Sequence, residues 1–171
     1  MPIAEWLETR RNIDADILNS FWDEELHSFV QVKGEKTLDA SLLLMPMLRY
    51  ISRTDPRWLS TLERIQQHLT EDSLVFRYTP GNHGITGGEG SFTACSFRLV
   101  ECLARAGQLE RARLLFNTTP GYANHRGLYS EQLGSSGEHL GNCPQPLTHL
   151  ALISAATYLD RKLDGAKETW A

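Results

Sequence analysis

An all-α fold built of antiparallel helical hairpins is predicted by three features of this 171-residue sequence. Apolar residues recur at helical spacing in six segments. The connections alternate in length, tight after the second and fourth segments and long after the first, third and fifth. In an up-down array, alternate connections lie at the same end, so the three long loops should share one rim. Long loops in compact domains tend to be functional or disordered, which makes that rim the expected binding face. The second, fourth and sixth segments are the more uniformly apolar set. They are expected to form an inner layer, with the amphipathic first, third and fifth outside. This is the pattern of an α/α toroid segment.

The first helix is predicted over residues 3–22, with Ile13, Ile17 and Phe21 at i, i+4 spacing and Trp6, Leu18 and Trp22 nearby. A second is expected over 38–52, headed by Thr37 as N-cap, apolar on nearly all sides and kinked at Pro46. The third opens on Asp55-Pro56, an N-cap followed by proline at the first helical position, and carries the stripe Trp58, Leu62, Ile65, Leu69. A β-like piece, Leu74-Val75-Phe76-Arg77-Tyr78, leads into a glycine-rich loop over 80–90. The fourth helix, 91–106, carries Phe92, Cys95, Leu99 and Cys102; Ser91 is its expected N-cap and Gly107 its stop. A short fifth helix follows over 109–117, then a long loop holding Glu131, then a sixth helix over 146–163.

Composition narrows the classes. Hydrophobic residues make up 41% and charged residues 22%, ordinary for a globular chain, and residues 1–171 fit one domain with a real core. A net charge of −4 with scattered basic residues, densest at Arg10-Arg11 and Arg161-Lys162, gives no electrostatic case for nucleic acid or an anionic membrane as partner. The longest apolar run, residues 42–48, falls far short of the ~20 residues that span a bilayer. The N-terminus has no basic region followed by a hydrophobic stretch, so no signal peptide is expected. Three cysteines, Cys95, Cys102 and Cys143, read as buried thiols in a reducing, cytoplasmic setting. Neither the histidines nor the cysteines fall at metal-ligand spacing, and no cofactor is expected. Gly-x-Ser-x-Gly, a Ser-His-Asp arrangement and a phosphate-binding glycine loop are also missing from the pattern.

The most informative stretch is Gly127-Leu128-Tyr129-Ser130-Glu131-Gln132-Leu133, followed by residues 137–149 up to His149. A carboxylate stands among small and polar residues in a loop just ahead of an apolar helix. That layout suits a general base at the mouth of a pocket, and equally a solvated loop acid. The segment resembles the C-terminal catalytic loop of the glucoamylase-like enzymes, glycoside hydrolase family 15. Further pieces resemble the later half of bacterial members in order: Ser28-Phe29-Val30-Gln31, Leu38-Asp39-Ala40-Ser41-Leu42-Leu43 with Pro46, and residues 74–78. Gly87-Gly88-Glu89-Gly90-Ser91-Phe92, Cys95-Ser96-Phe97 and Gly107-Gln108-Leu109 complete the series, which covers about residues 13–160.

The resemblance implies half of an (α/α)6 toroid, about six helices of twelve. It also implies descent from an inverting α-glucosidase acting on maltodextrin-, dextran- or trehalose-like substrates. Inversion needs two carboxyl groups about 6.5–9.5 Å apart, an acid for the leaving oxygen and a base for water. The family's base position falls on Glu131. Its acid lies in the first half, and no segment here resembles that motif. The implied chain is a fragment or truncated form that carries the base, lacks the acid and is inactive alone. Pairing with the absent half, or self-association, would cover the two open seams.

Four more residues are candidates for substrate binding. Glu89 sits between glycines that allow close backbone approach, or that only cap the fourth helix. Asp39 suits the start of the second helix, where the helix dipole favours a carboxylate, and the resemblance puts it on the active rim. Tyr129 and Gln132 flank Glu131 and either position the loop and water or serve structure alone. If the chain cleaves a glucoside unaided, a carboxylate such as Glu89 must serve as the acid. A competing reading is a non-catalytic tetratricopeptide-like interaction module, from residues 103–116. Such repeats recur every ~34 residues, and no second copy appears at that interval.

Overall fold

Helix α1 (Ile3–Ser20) opens the computed structural model, which describes residues 2–79 and 90–165. None of its residues is buried, and Ile3, Trp6, Leu7 and Ile13 face solvent. Its predicted apolar stripe is present but has no core opposite it in this chain. Apolar packing on the core comes at its far end, through Leu18, Phe21 and Trp22. There β1 (Trp22–Asp23) pairs with β2 (Ser28–Phe29), Trp22 opposite Phe29. The Asp23 carboxylate closes that hairpin by accepting the Glu25 and Leu26 N–H groups at 2.9 and 2.7 Å.

The expected second helix over 38–52 is not a continuous helix. A 3-10 turn (Ala40–Leu43) leads into a single α-turn, α2 (Leu44–Met47). The cap is Asp39 rather than Thr37: Asp39 is extended, and its Oδ1 accepts the Ser41 N–H at 2.6 Å. Thr37 instead turns its hydroxyl to Glu35. Pro46 brings no N–H to a helical ladder, and Arg49 at φ 58° ends the segment.

Helix α3 (Pro56–His68) begins as its sequence predicts, with Asp55 Oδ1 accepting the Arg57 N–H at 2.8 Å. The stripe Trp58, Leu62, Ile65, Leu69 is fully buried. A tight hairpin of β3 (Thr70–Glu71) and β4 (Leu74–Val75) follows, its turn residues Asp72 and Ser73 both at positive φ. Strand β5 (Ser91–Phe92) then feeds α4 (Thr93–Arg105). Ser91 is thus a strand residue, not an N-cap; its hydroxyl donates to the Leu133 carbonyl at 3.3 Å. Gly107, at φ 81°, ends α4 and lets the chain reverse into α5 (Leu109–Thr118).

A 3-10 turn (Thr119–Tyr122), strands β6 (Gln132–Leu133) and β7 (His139–Leu140), and α6 (Pro146–Leu163) complete the chain. Helix α4 lies at the centre. Eleven of its thirteen residues are buried, and it packs against α6, α5, α2 and the first 3-10 turn. Helix α6 faces it with Thr148, Ala151, Ala155 and Leu159, while Leu147, Leu150 and Ile153 on its other side are exposed. The inner layer is therefore real for α4 and half-covered for α6. One α4–α5 hairpin stands where the repeat reading needed several. Among the described residues no helix is long and apolar enough to cross a membrane.

Cys95 and Cys102 are buried, whereas Cys143 is exposed, which corrects the expectation of three buried thiols. Burial pushes the Cys95 thiol up to about 11 and the Cys102 thiol higher still, so neither forms thiolate near neutral pH. A thiol reagent at pH 8 is expected to label one cysteine in the native chain, Cys143. The other two should react only after denaturation, as mass spectrometry of the labelled peptides would read out.

Candidate active site

The three long connections meet at one rim, joined by backbone. Asp39 and Tyr78 form an antiparallel bridge, and the Ala40 N–H donates to the Arg77 carbonyl at 2.7 Å. That ties the first loop to the second. Strand β6 runs between β5 and β7, with Phe92 opposite Gln132 and Gln132 opposite Leu140, which ties the second loop to the third. The Arg77 guanidinium lies over the Tyr78 ring at 5.3 Å and the Phe92 ring at 6.0 Å. A continuous rim thus runs from Arg77 and Phe92 to Gln132 and Glu131, with Asp39 buried beneath it.

Glu131 is pinned on both sides. Its N–H donates to the Asn142 carbonyl at 2.9 Å, and its carbonyl accepts the Thr93 N–H, at the first residue of α4, at 3.1 Å. Its side chain is half-buried and held by one partner: Oε2 accepts the Asn142 backbone N–H at 3.2 Å and the Asn142 Nδ2 at 2.9 Å. Oε1 accepts no hydrogen bond from the described residues. Two donors on one oxygen fix the carboxylate plane, and an oxygen placed like the other one can accept a proton. Gly141 makes this possible. It adopts φ 70°, and a β-carbon there would lie 3.0 Å from both Glu131 Cβ and Oε2.

The other sequence candidates separate by depth. Asp39 is 2% exposed; it sits beneath the rim, close enough to Cys95 to act on its thiol together with Arg98 and Arg77. Tyr129 is buried, its ring edge-on to Phe97 and His149 at 5.3 and 5.5 Å, and its hydroxyl donates to the Pro120 carbonyl at 3.3 Å. That geometry fastens the loop to the core. Gln132 reaches across to the second loop, where its Oε1 accepts the Gly90 N–H at 3.3 Å. Glu89 lies outside the described residues. Among the described residues no cluster of His, Cys, Asp and Glu is placed to hold a metal ion.

Two contributors carried no role in the sequence reading: Asn142 and Gly141. Asn142 and Gly141 lie in the informative stretch, yet nothing in one-dimensional spacing says that they fold back on Glu131. Gly90 approaches the β6 backbone so closely that a β-carbon would lie 2.4 Å from the Leu133 oxygen. Gly141→Ala is expected to disturb Glu131 without unfolding the chain. It would cost about 1–2 kcal/mol from the left-handed backbone alone, read as a lowered melting temperature with intact helical circular dichroism.

A helical arc with its long loops on one rim is the architecture of part of a helical toroid. A solved wild-type glycosidase superposes with a TM-score of 0.79 at 19% identity, over 92% of this chain and 44% of that one. The sequence model of glycosyl hydrolases family 15 matches residues 2–157, and the chain belongs to that family. A trehalase of Thermoplasma volcanium is 38% identical over 95% of this chain and 26% of its own length. A trehalase of Mycobacterium tuberculosis is 42% identical over 92% of this chain and 23% of its own. The chain therefore spans about a quarter of the length of the curated relatives it matches.

Proposed function

We propose that this chain is the base-bearing half of an inverting α-glucosidase ring, with trehalose as its substrate and Glu131 as the group that activates water. The observation that carries this reading is the Asn142 clamp on Glu131 Oε2, with Oε1 accepting no hydrogen bond from the described residues, on the rim where three loops converge. The names of the relatives, all trehalases in six cases, favour trehalose over longer glucans. A glucose-bound form of the glycosidase with the same fold fits a sugar site.

Hydrolysis with inversion needs an acid opposite the base, about 6.5–9.5 Å away. No segment of the chain resembles the family's acid-bearing motif, so the chain alone hydrolyses nothing measurable. The complementary half docks on the exposed apolar residues of α1 and α6, namely Trp6 and Ile13 at one seam and Leu147, Leu150 and Ile153 at the other. Glucose release from trehalose tests this. The chain alone should give none, and the chain mixed with a separately expressed first-half segment of the Thermoplasma volcanium trehalase should give steady turnover. Hydrolysis by the isolated chain that survives Glu131→Gln would overturn the proposal.

A further inference from the structure

The two residues ahead of Glu131 are fastened to the opening turn of α6 by hydrogen bonds. The Gln145 N–H donates to the Tyr129 carbonyl at 2.9 Å, and the Thr148 hydroxyl to the Ser130 carbonyl at 3.3 Å. The Tyr129 N–H donates in turn to His149 Nε2 at 3.3 Å, and His149 Nδ1 lies 2.8 Å from the Gln145 carbonyl. An amide N–H only donates, so Nε2 must offer its lone pair to Tyr129. The ring proton then sits on Nδ1, aimed at Gln145. The circuit is closed: Tyr129 N–H to imidazole, imidazole to Gln145 carbonyl, Gln145 N–H back to Tyr129 carbonyl.

A histidine here can serve the helix alone, since Gln145 is the N-cap of α6. That role is already filled by backbone, because the Gln145 carbonyl accepts the His149 N–H at 3.3 Å. The side chain adds what the helix does not need, a half-buried acceptor for the Tyr129 N–H. Among the described residues no other group accepts from that N–H. The imidazole also stands edge-on to the Tyr129 ring at 5.5 Å, and the Tyr129 ring edge-on to Phe97 of α4 at 5.3 Å. The Asn142 clamp fixes the carboxylate within its own loop. His149 belongs to α6, so it sets that loop against the scaffold, as the Thr93 N–H does from α4 through the Glu131 carbonyl. Misplacing a reacting group by about 1 Å costs on the order of 10²-fold in rate.

We propose that His149 is a positioning residue for Glu131, its Nε2 holding the Tyr129 N–H so that the base keeps its place against α6. This rests on Glu131 being the water-activating group. Two substitutions separate the ring nitrogens. A glutamine oxygen reaches the place of Nε2 and keeps an acceptor for Tyr129, whereas an asparagine amide matches only Nδ1. Hydrogen exchange on the full chain, read by mass spectrometry over residues 127–133, should quicken about three- to tenfold in His149→Asn. It should stay near the parent in His149→Gln, with α6 exchanging alike in both. In the ring completed by the first-half segment, His149→Asn should lower kcat about 10- to 10²-fold at nearly constant KM, and His149→Gln should recover most of the loss. Exchange over 127–133 that His149→Asn leaves unchanged, or kcat lost equally in the two variants, would overturn the proposal. A completed parent ring that releases no glucose would instead remove the role of Glu131, and the exchange contrast would still decide whether His149 holds this loop.

Discussion

Glu131→Gln is expected to lower turnover of trehalose by about 10²–10⁴-fold in the ring completed by a first-half segment, the usual contribution of a positioned general base. The substitution is chosen because it changes basicity and little else. A glutamine oxygen can still accept both Asn142 donors, which now bond Glu131 Oε2 at 2.9 and 3.2 Å. The loop should therefore keep its place, and the melting temperature should move by no more than a degree or two. Loss confined to kcat, with KM nearly constant, is the signature of a group acting in the transition state. A solvated loop acid with no role in chemistry would leave kcat within about twofold.

The second large effect concerns the scaffold. Glu101 is 1% exposed, and its Oε1 accepts from Arg105 Nε and Nη2 at 2.9 and 2.6 Å. Its Oε2 takes the Ser154 hydroxyl at 2.6 Å, so one carboxylate ties α4 to α6. Removing one partner of a buried pair leaves the other desolvated and unmatched, at a cost of about 3–5 kcal/mol. Arg105 retains some water contact, which puts Glu101→Ala near the low end, about 3 kcal/mol. Chemical denaturation measures it. Glu101→Gln keeps a hydrogen-bond acceptor for Ser154 and should lose less. Equal stability of the alanine variant and the parent would show that α4–α6 packing alone sets the inner layer.

Much of this was legible in the sequence where a single local rule governs. Asp55-Pro56 starts α3, Gly107 stops α4, and Pro146 opens α6 as read. The alternation of loop lengths placed three loops on one rim, and the bridge from Asp39 to Tyr78 and the pairing of Phe92 with Gln132 join them there. Local rules failed where they competed. The apolar run at 38–52 reads as helix, but Asp39 caps it late, Pro46 withholds a donor and Arg49 turns left-handed. Ser91 looks like a cap beside Gly90, yet cross-strand pairing with Leu133 claims it. The clamp on Glu131 was not legible, because eleven residues separate it from Asn142 and only the β6–β7 turn brings them together.

Azide rescue asks the central question of the completed ring most directly. Glu131→Ala removes the carboxylate and opens space beside Asn142, where a small anion can attack without needing deprotonation. With azide added, turnover should return and yield the glucosyl azide of inverted configuration at the anomeric carbon. An alanine variant that azide leaves silent, or one that still releases glucose at the parent rate, would contradict the assignment.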